Sequence, residues 1–179
     1  MPVDMKNIIA DALVSMAKQK GIDKITVKAL IDACNISRQT FYYHFQDIME
    51  VVEWSMEQAT KQTLARSLAA ETPEDALSVL IASAVDNRIL IHKLLDSQKR
   101  EQIEKLFVQA ARTYLQELIR NKNHRLPHNY SDMEVALDFW AFGISGLLFK
   151  YSEQDQIDVK RLSNQIYRLL TEKIEQDIK

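Results

Sequence analysis

Apolar residues recur along the chain at helical spacing. Ile8, Ile9, Ala12, Leu13, Met16 and Ala17 form one stripe and predict a first helix. It stops at Lys20-Gly21, a basic last turn followed by a glycine suited to the helix C-terminus. Val27, Leu30, Ile31 and Cys34 mark the buried face of a helix of only about two turns, with Thr26 as its cap. Asn35 tolerates left-handed backbone and Ser37 is a ready cap for the next helix. So short a connection between two short helices is that of a helix-turn-helix. After Ser37, Phe41 and Phe45 stand one turn apart and can pack inward, leaving Arg38, Gln39, Thr40, Tyr42, Tyr43 and His44 to point elsewhere.

Asp47-Ile48-Met49-Glu50 reads as a capping box that opens a long helix to about Leu68. The clearest boundary lies at Thr72-Pro73-Glu74-Asp75, a cap, a proline at the first helical position and two acids that complement the helix dipole. Leu77, Leu80, Ile81, Ala84, Val85, Ile89 and Leu94 predict one continuous stripe beyond it, and Ile103 to Ile119 predict another. A loop is expected over 121–129, around Pro127. Ser131-Asp132-Met133-Glu134 is a second capping box, starting an apolar helix that runs through Tyr151. A last helix from about Val159 carries Leu162, Ile166, Leu169, Leu170 and Ile174 on one side. No segment alternates as a strand does, so the expected fold class is all-α.

Composition supports that reading and removes several activities. Only 3 Gly and 3 Pro occur in 179 residues, which favours long helices. Gly21, Gly143 and Gly146 make no phosphate-binding loop, so Rossmann and P-loop chemistry is excluded. Cys34 is the single cysteine, which suits a reducing cytosol and forbids an internal disulfide; on the Val27, Leu30, Ile31 face it reads as a core residue. His124 and His128 are four apart, but Pro127 between them breaks any helix, so they read as a solvated loop and no metal site is expected. There is no paired-carboxylate helix motif and no nucleophile with a local motif, so neither catalytic residues nor a cofactor are expected. Residues 1–11 lack a sustained apolar run, and Val135 to Phe149 is short for a membrane span of about 20 residues, so a cytoplasmic protein without a membrane partner is expected.

Charge is nearly balanced, 23 Lys+Arg against 25 Asp+Glu, a net −2. Residues 1–46 carry six cations, Lys6, Lys18, Lys20, Lys24, Lys28 and Arg38, against Asp4, Asp11, Asp23 and Asp32, or +2, which leaves −4 for the rest. The excess is small, so binding of a polyanion would rest on neutral donors more than on ion pairs. Arg38 and Gln39 can reach base edges in a major groove, Arg to guanine and Gln to adenine. Thr40, Tyr42, Tyr43 and His44 can donate to phosphate oxygens.

Ile25-Thr26-Val27 together with Ser37 to Phe45, which contains Thr40-x-Tyr42-x-His44-Phe45, resembles the DNA-binding domain of TetR-family transcriptional regulators over about residues 8–54. The resemblance implies an all-α homodimer. Its N-terminal three-helix domain (residues 1–46) would bind double-stranded DNA at a palindromic operator, a connecting helix (47–70) would follow, and a helical C-terminal domain (71–179) would bind a ligand or partner and dimerise. It implies DNA contacts by Thr26, Ser37, Arg38, Gln39, Thr40, Tyr42, Tyr43 and His44. Thr40, Tyr42 and His44 would serve mainly the backbone, and Arg38, Gln39 and Tyr43 sequence preference. Where the family usually has a lysine after the recognition helix this chain has Asp47-Ile48, and its usual turn glycine is Asn35.

His92, Phe107, Tyr114, Phe139 and Trp140 are the expected effector-pocket residues. The aromatic group Phe139, Trp140, Phe142, Phe149 and Tyr151 is open to a second reading, core and dimer packing. Phe142, Gly143, Gly146, Leu147, Leu162, Ile166, Leu169 and Leu170 are the expected dimerisation residues. Gly143 and Gly146 each cost roughly 1 kcal/mol of helix propensity, which close approach of another helix would offset. Tyr42-Tyr43-His44-Phe45-Gln46-Asp47 with Glu53-Trp54 is most similar to a branch that includes regulators of dihydroxyacetone kinase operons. That branch implies an alternative to a small-molecule effector, an activator whose C-terminal domain binds a kinase-like protein. Repressor and activator both stay open.

Overall fold

The structure is a computed structural model and describes residues 4–122, 130–154 and 156–176. Among the described residues there are nine α-helices, one short 3₁₀ turn at Ile22–Lys24, and no strand. The helices are α1 (Met5–Lys20), α2 (Val27–Cys34), α3 (Arg38–His44), α4 (Ile48–Leu68), α5 (Pro73–Asp86), α6 (Arg88–Leu95), α7 (Arg100–Lys122), α8 (Tyr130–Ser152) and α9 (Val159–Gln176). No described helix is long and apolar enough to cross a membrane.

Caps set the punctuation. Asp4, Thr26, Ser37, Asp47 and Thr72 each accept a backbone N–H of the first turn of α1, α2, α3, α4 and α5 respectively, satisfying donors the helix cannot pair itself. Glu50 reaches back to the N–H of Gln46, one residue earlier than in the usual capping box. Between α2 and α3, Asn35 sits in the left-handed region at φ 51, ψ 47, and the Ile36 N–H returns to the Ile31 carbonyl at 3.2 Å. Gly21 ends α1 at φ 76.

Two differences from the sequence expectation concern boundaries. The stripe expected from Leu77 to Leu94 is broken at Asn87, which ends α5 and starts α6. The Asn87 side chain donates to the Ser83 carbonyl at 2.9 Å, an alternative to helical pairing that asparagine offers and hydrophobic periodicity does not register. Helix α8 already includes Tyr130, one residue before the expected cap at Ser131. The expected loop residues His124, Pro127 and His128 lie outside the described residues.

Two apolar clusters hold the chain. The first joins Ile9, Leu13 and Ala17 of α1, Leu30, Phe41, Phe45 and Val51 to Ile91, Leu94 and Leu95 of α6 and Ile103 of α7. The helix-turn-helix segment and the start of the C-terminal half therefore share a core. The second joins Leu77 and Ile81 of α5, Tyr114 and Leu115 of α7, Leu137, Ala141 and Ile144 of α8, and Leu162 and Ile166 of α9. Between them, the Tyr114 hydroxyl donates to Ser67 Oγ at 2.7 Å with the Ala76 carbonyl 3.1 Å away, and Ser67 donates to that same carbonyl at 3.0 Å. This buried group pins α7 to the end of α4 and the start of α5.

Helix α8 has an inner and an outer face. Ala141, Ile144 and Ser145 are buried, whereas Val135, Phe139, Phe142, Gly143 and Gly146 lie on the exposed side, with Phe139 69% and Phe142 64% accessible. A Cβ on Gly143 or Gly146 would meet nothing within 4 Å, so among the described residues no helix of the same chain makes the close approach expected there. Of the other expected dimerisation residues, Leu147 is half-buried and Leu169 exposed, while Leu162 and Ile166 are buried against the chain's own α5. The last two therefore belong to the core of the single chain, because α5 takes up the stripe that periodicity alone leaves unassigned. The Leu170 side chain lies outside the described residues.

Two stability predictions follow from the capped turn and the buried hydroxyl group. Asn35→Gly should leave unfolding free energy nearly unchanged, and Asn35→Val should lower it by about 1–2 kcal/mol, since a β-branched residue resists left-handed backbone. Tyr114→Phe should lower it by about 1 kcal/mol, the net worth of a buried hydrogen bond. Urea denaturation of the three variants measures both effects.

Candidate nucleic-acid interface

Seven residues of α3 are too few to form a stable helix alone. Ser37 Oγ accepts the Thr40 N–H at 3.0 Å and shares a hydrogen bond with Thr40 Oγ1 at 2.8 Å, fixing the first turn. Phe41 and Phe45 are fully buried on the opposite side, their rings 6.3 Å apart, and Phe45 meets Trp54 of α4 edge-on at 6.1 Å. Burying two such rings is worth about 1.5–3 kcal/mol each. The burial holds α3 by one face and leaves the other outward.

That outer face carries hydrogen-bonding groups. Arg38, Gln39, Tyr42 and Tyr43 are exposed, with Tyr43 83% accessible, and Thr40 and His44 are half-buried. The Arg38 guanidinium lies 5.5 Å from the centre of the Tyr42 ring, and the Tyr43 and His44 rings meet edge-on at 4.9 Å. Ser37 is an exposed residue whose oxygen caps α3. Thr26 is likewise exposed, and its oxygen accepts the Ala29 N–H at 3.1 Å to cap α2. A short row of amide, guanidinium and phenol groups on a helix anchored from behind has the chemistry to read base edges and to donate to phosphates.

The surroundings add little charge. Lys6 Nζ sits 5.1 Å from the centre of the Phe45 ring. Asp47 accepts the Glu50 N–H at 3.0 Å and so caps α4. Cys34 is half-buried with its thiol 3.9 Å from the Ile8 carbonyl oxygen, and burial pushes its pKa up, away from the reactive thiolate. Among the described residues no group of His, Cys, Asp or Glu is arranged to hold a metal ion.

Behind the interface lies an open cavity of about 230 Å³, lined by residues of α1 and α4 to α8. Phe107 and Tyr114 line it. His92, Phe139 and Trp140, the other residues expected at an effector pocket, do not line this cavity. His92 and Phe139 are exposed, and Trp140 packs half-buried on the second apolar cluster. Nor do the aromatic residues of α8 form a single group: Phe149 meets Phe107 edge-on at 5.3 Å while Phe139 and Phe142 face outward. Sequence reasoning missed the polar lining residues Thr60, Thr63, Asn87 and Ser145. A lone serine within the apolar run of α8 was the one signal that could have found Ser145.

Residues 9–53 match the model of the bacterial regulatory proteins of the tetR family. The HTH-type dhaKLM operon transcriptional activator DhaS of Lactococcus lactis subsp. lactis (strain IL1403) is 23% identical over 131 residues, 73% of this chain and 69% of that protein. The solved structure of a dihydroxyacetone kinase operon activator DhaS has the same fold, with TM-score 0.71 at 21% identity over 95% of this chain and 96% of that one. A TetR transcriptional regulator from Streptococcus agalactiae 2603V gives TM-score 0.65 at 19% identity over 92% of each chain. These similar proteins are regulators, not enzymes. The capped turn, the two buried phenylalanines and the exposed α3 face all lie within the helix-turn-helix segment that matches the tetR-family model.

Proposed function

We propose that the chain acts in the cytoplasm as a homodimeric transcription regulator, reading a palindromic operator with α3 and changing its DNA affinity when a small molecule occupies the cavity. The observation that carries this reading is the exposed row Arg38, Gln39, Tyr42 and Tyr43 on a helix whose back is wholly buried. Arg38, Gln39 and Tyr43 set sequence preference. Thr26, Ser37, Thr40, Tyr42 and His44 serve the sugar-phosphate backbone.

Dimerisation is supported by the outer face of α8, where Val135, Phe139 and Phe142 are exposed beside two glycines with open space above them. Leu169 of α9 is a further exposed apolar residue available to a second copy. An effector is supported by the cavity, whose walls come from α1 and α4 beside the helix-turn-helix as well as from α5 to α8. A ligand that fits one arrangement of these helices better than another shifts the population toward it, and with it the spacing of the two α3 helices.

The name of the Lactococcus relative describes an activator, and activation through a bound protein is the second reading. It needs an apolar docking face on α5 to α7. The single large apolar residue exposed there among the described residues is Ile89, and the cavity favours the small molecule.

The test is a fluorescence-anisotropy titration of the protein with duplex from its own upstream region and with random duplex, over a series of salt concentrations. Preference for the upstream duplex and a shallow salt slope are expected, the slope because few cations flank α3. Tyr42→Phe should weaken binding to every sequence about five-fold, the loss of one hydrogen bond. Gln39→Ala should instead change which base is preferred, by about 1–3 kcal/mol at one position. Equal binding of both duplexes at low salt would overturn the reading.

A further inference from the structure

The walls of the cavity restrict what can enter it. Among the described residues that line it, none is Asp, Glu, Lys, Arg or His. Most are aliphatic or aromatic, and nearly all the hydroxyls already have partners. Ser55 donates to the Val51 carbonyl at 2.6 Å, Thr60 donates to the Met56 carbonyl at 2.8 Å, and Thr63 and Ser83 bond to each other at 3.1 Å. The Tyr114 hydroxyl is turned to Ser67 and Ala76. An ion seated against such walls would give up part of its hydration and find no counter-charge.

Ser145 is the exception. It lines the cavity from α8, is 3% accessible, and has no hydrogen-bond partner among the described residues. Its hydroxyl is not sealed off as a buried unsatisfied group, so it borders the cavity space itself. A hydroxyl that opens onto an apolar space is free to donate to a ligand atom placed there. Size sets a further limit. An apolar cavity of about 150 Å³ holds benzene, so by proportion this one holds about nine non-hydrogen atoms.

Resting on the effector reading above, we propose that the cavity takes an uncharged, mainly apolar molecule of about that size, bearing one oxygen that accepts a hydrogen bond from Ser145. Carboxylates, ammonium ions and phosphorylated metabolites would find no counter-charge on its walls.

The probes are 1-octanol, octanoate and octylammonium, matched in length and differing in charge, titrated at pH 7 into the full chain by calorimetry and thermal shift. Octanol should bind at least ten-fold more tightly than either ion, and Ser145→Ala should weaken octanol about five-fold. Octanoate or octylammonium binding as tightly as octanol overturns the proposal using the unaltered protein, and so does Ser145→Ala leaving octanol affinity unchanged. Operator titration with each probe separates this inference from the reading it rests on. Octanol that binds as expected but leaves operator affinity unchanged supports the ligand class and overturns the effector role. Octanoate that binds more tightly and shifts operator affinity supports the effector role and overturns the ligand class.

Discussion

The burial of Phe41 and Phe45 is the constraint on which the DNA-reading end of the molecule depends. A helix as short as α3 has no stability of its own, and its orientation is set by the two rings that anchor it in the core. Because that core also contains Leu94 and Leu95 of α6 and Ile103 of α7, the anchor reaches beyond the three N-terminal helices. The recognition surface therefore shares an apolar cluster with one part of the cavity wall, Leu13, Val52, Ile91 and Leu94, while Tyr114 and Ile144 of the wall belong to the second cluster. Under the proposed reading, this continuity is what lets an event among α4 to α8 be felt at α3.

Much of this was legible in the sequence, for a physical reason. Caps and turns are local, so Thr26, Asn35, Ser37, Asp47 and Thr72 declare their roles through side chains that can reach only a few backbone atoms. The spacing of Phe41 and Phe45 likewise has one reading, because the residues between them are polar or amphipathic. The break at Asn87 was not legible. A stripe that runs through a helix end looks the same as one that runs through a helix.

The C-terminal half was legible as helices but not as a site. Helix α8 is apolar on nearly every side, and such a helix carries no rotational phase in its sequence. Nothing local tells that Phe139 and Phe142 face outward, or that Leu162 and Ile166 are taken up by α5. Tertiary packing decides each of these. The two-sided character of α8 is also what links the proposed roles, since one helix lines the cavity from within and presents exposed aromatics to a second copy from without.

The central claim, that two copies joined through the outer face of α8 read one palindrome with their α3 helices, is tested most directly by sedimentation velocity of the free protein and of its complex with a palindromic upstream duplex. The account predicts two chains in both, and predicts that Phe142→Glu sediments as a single folded chain that has lost its hold on the duplex. A wild-type chain that occupies the palindrome alone at full affinity, or a Phe142→Glu variant that remains two chains, would contradict it.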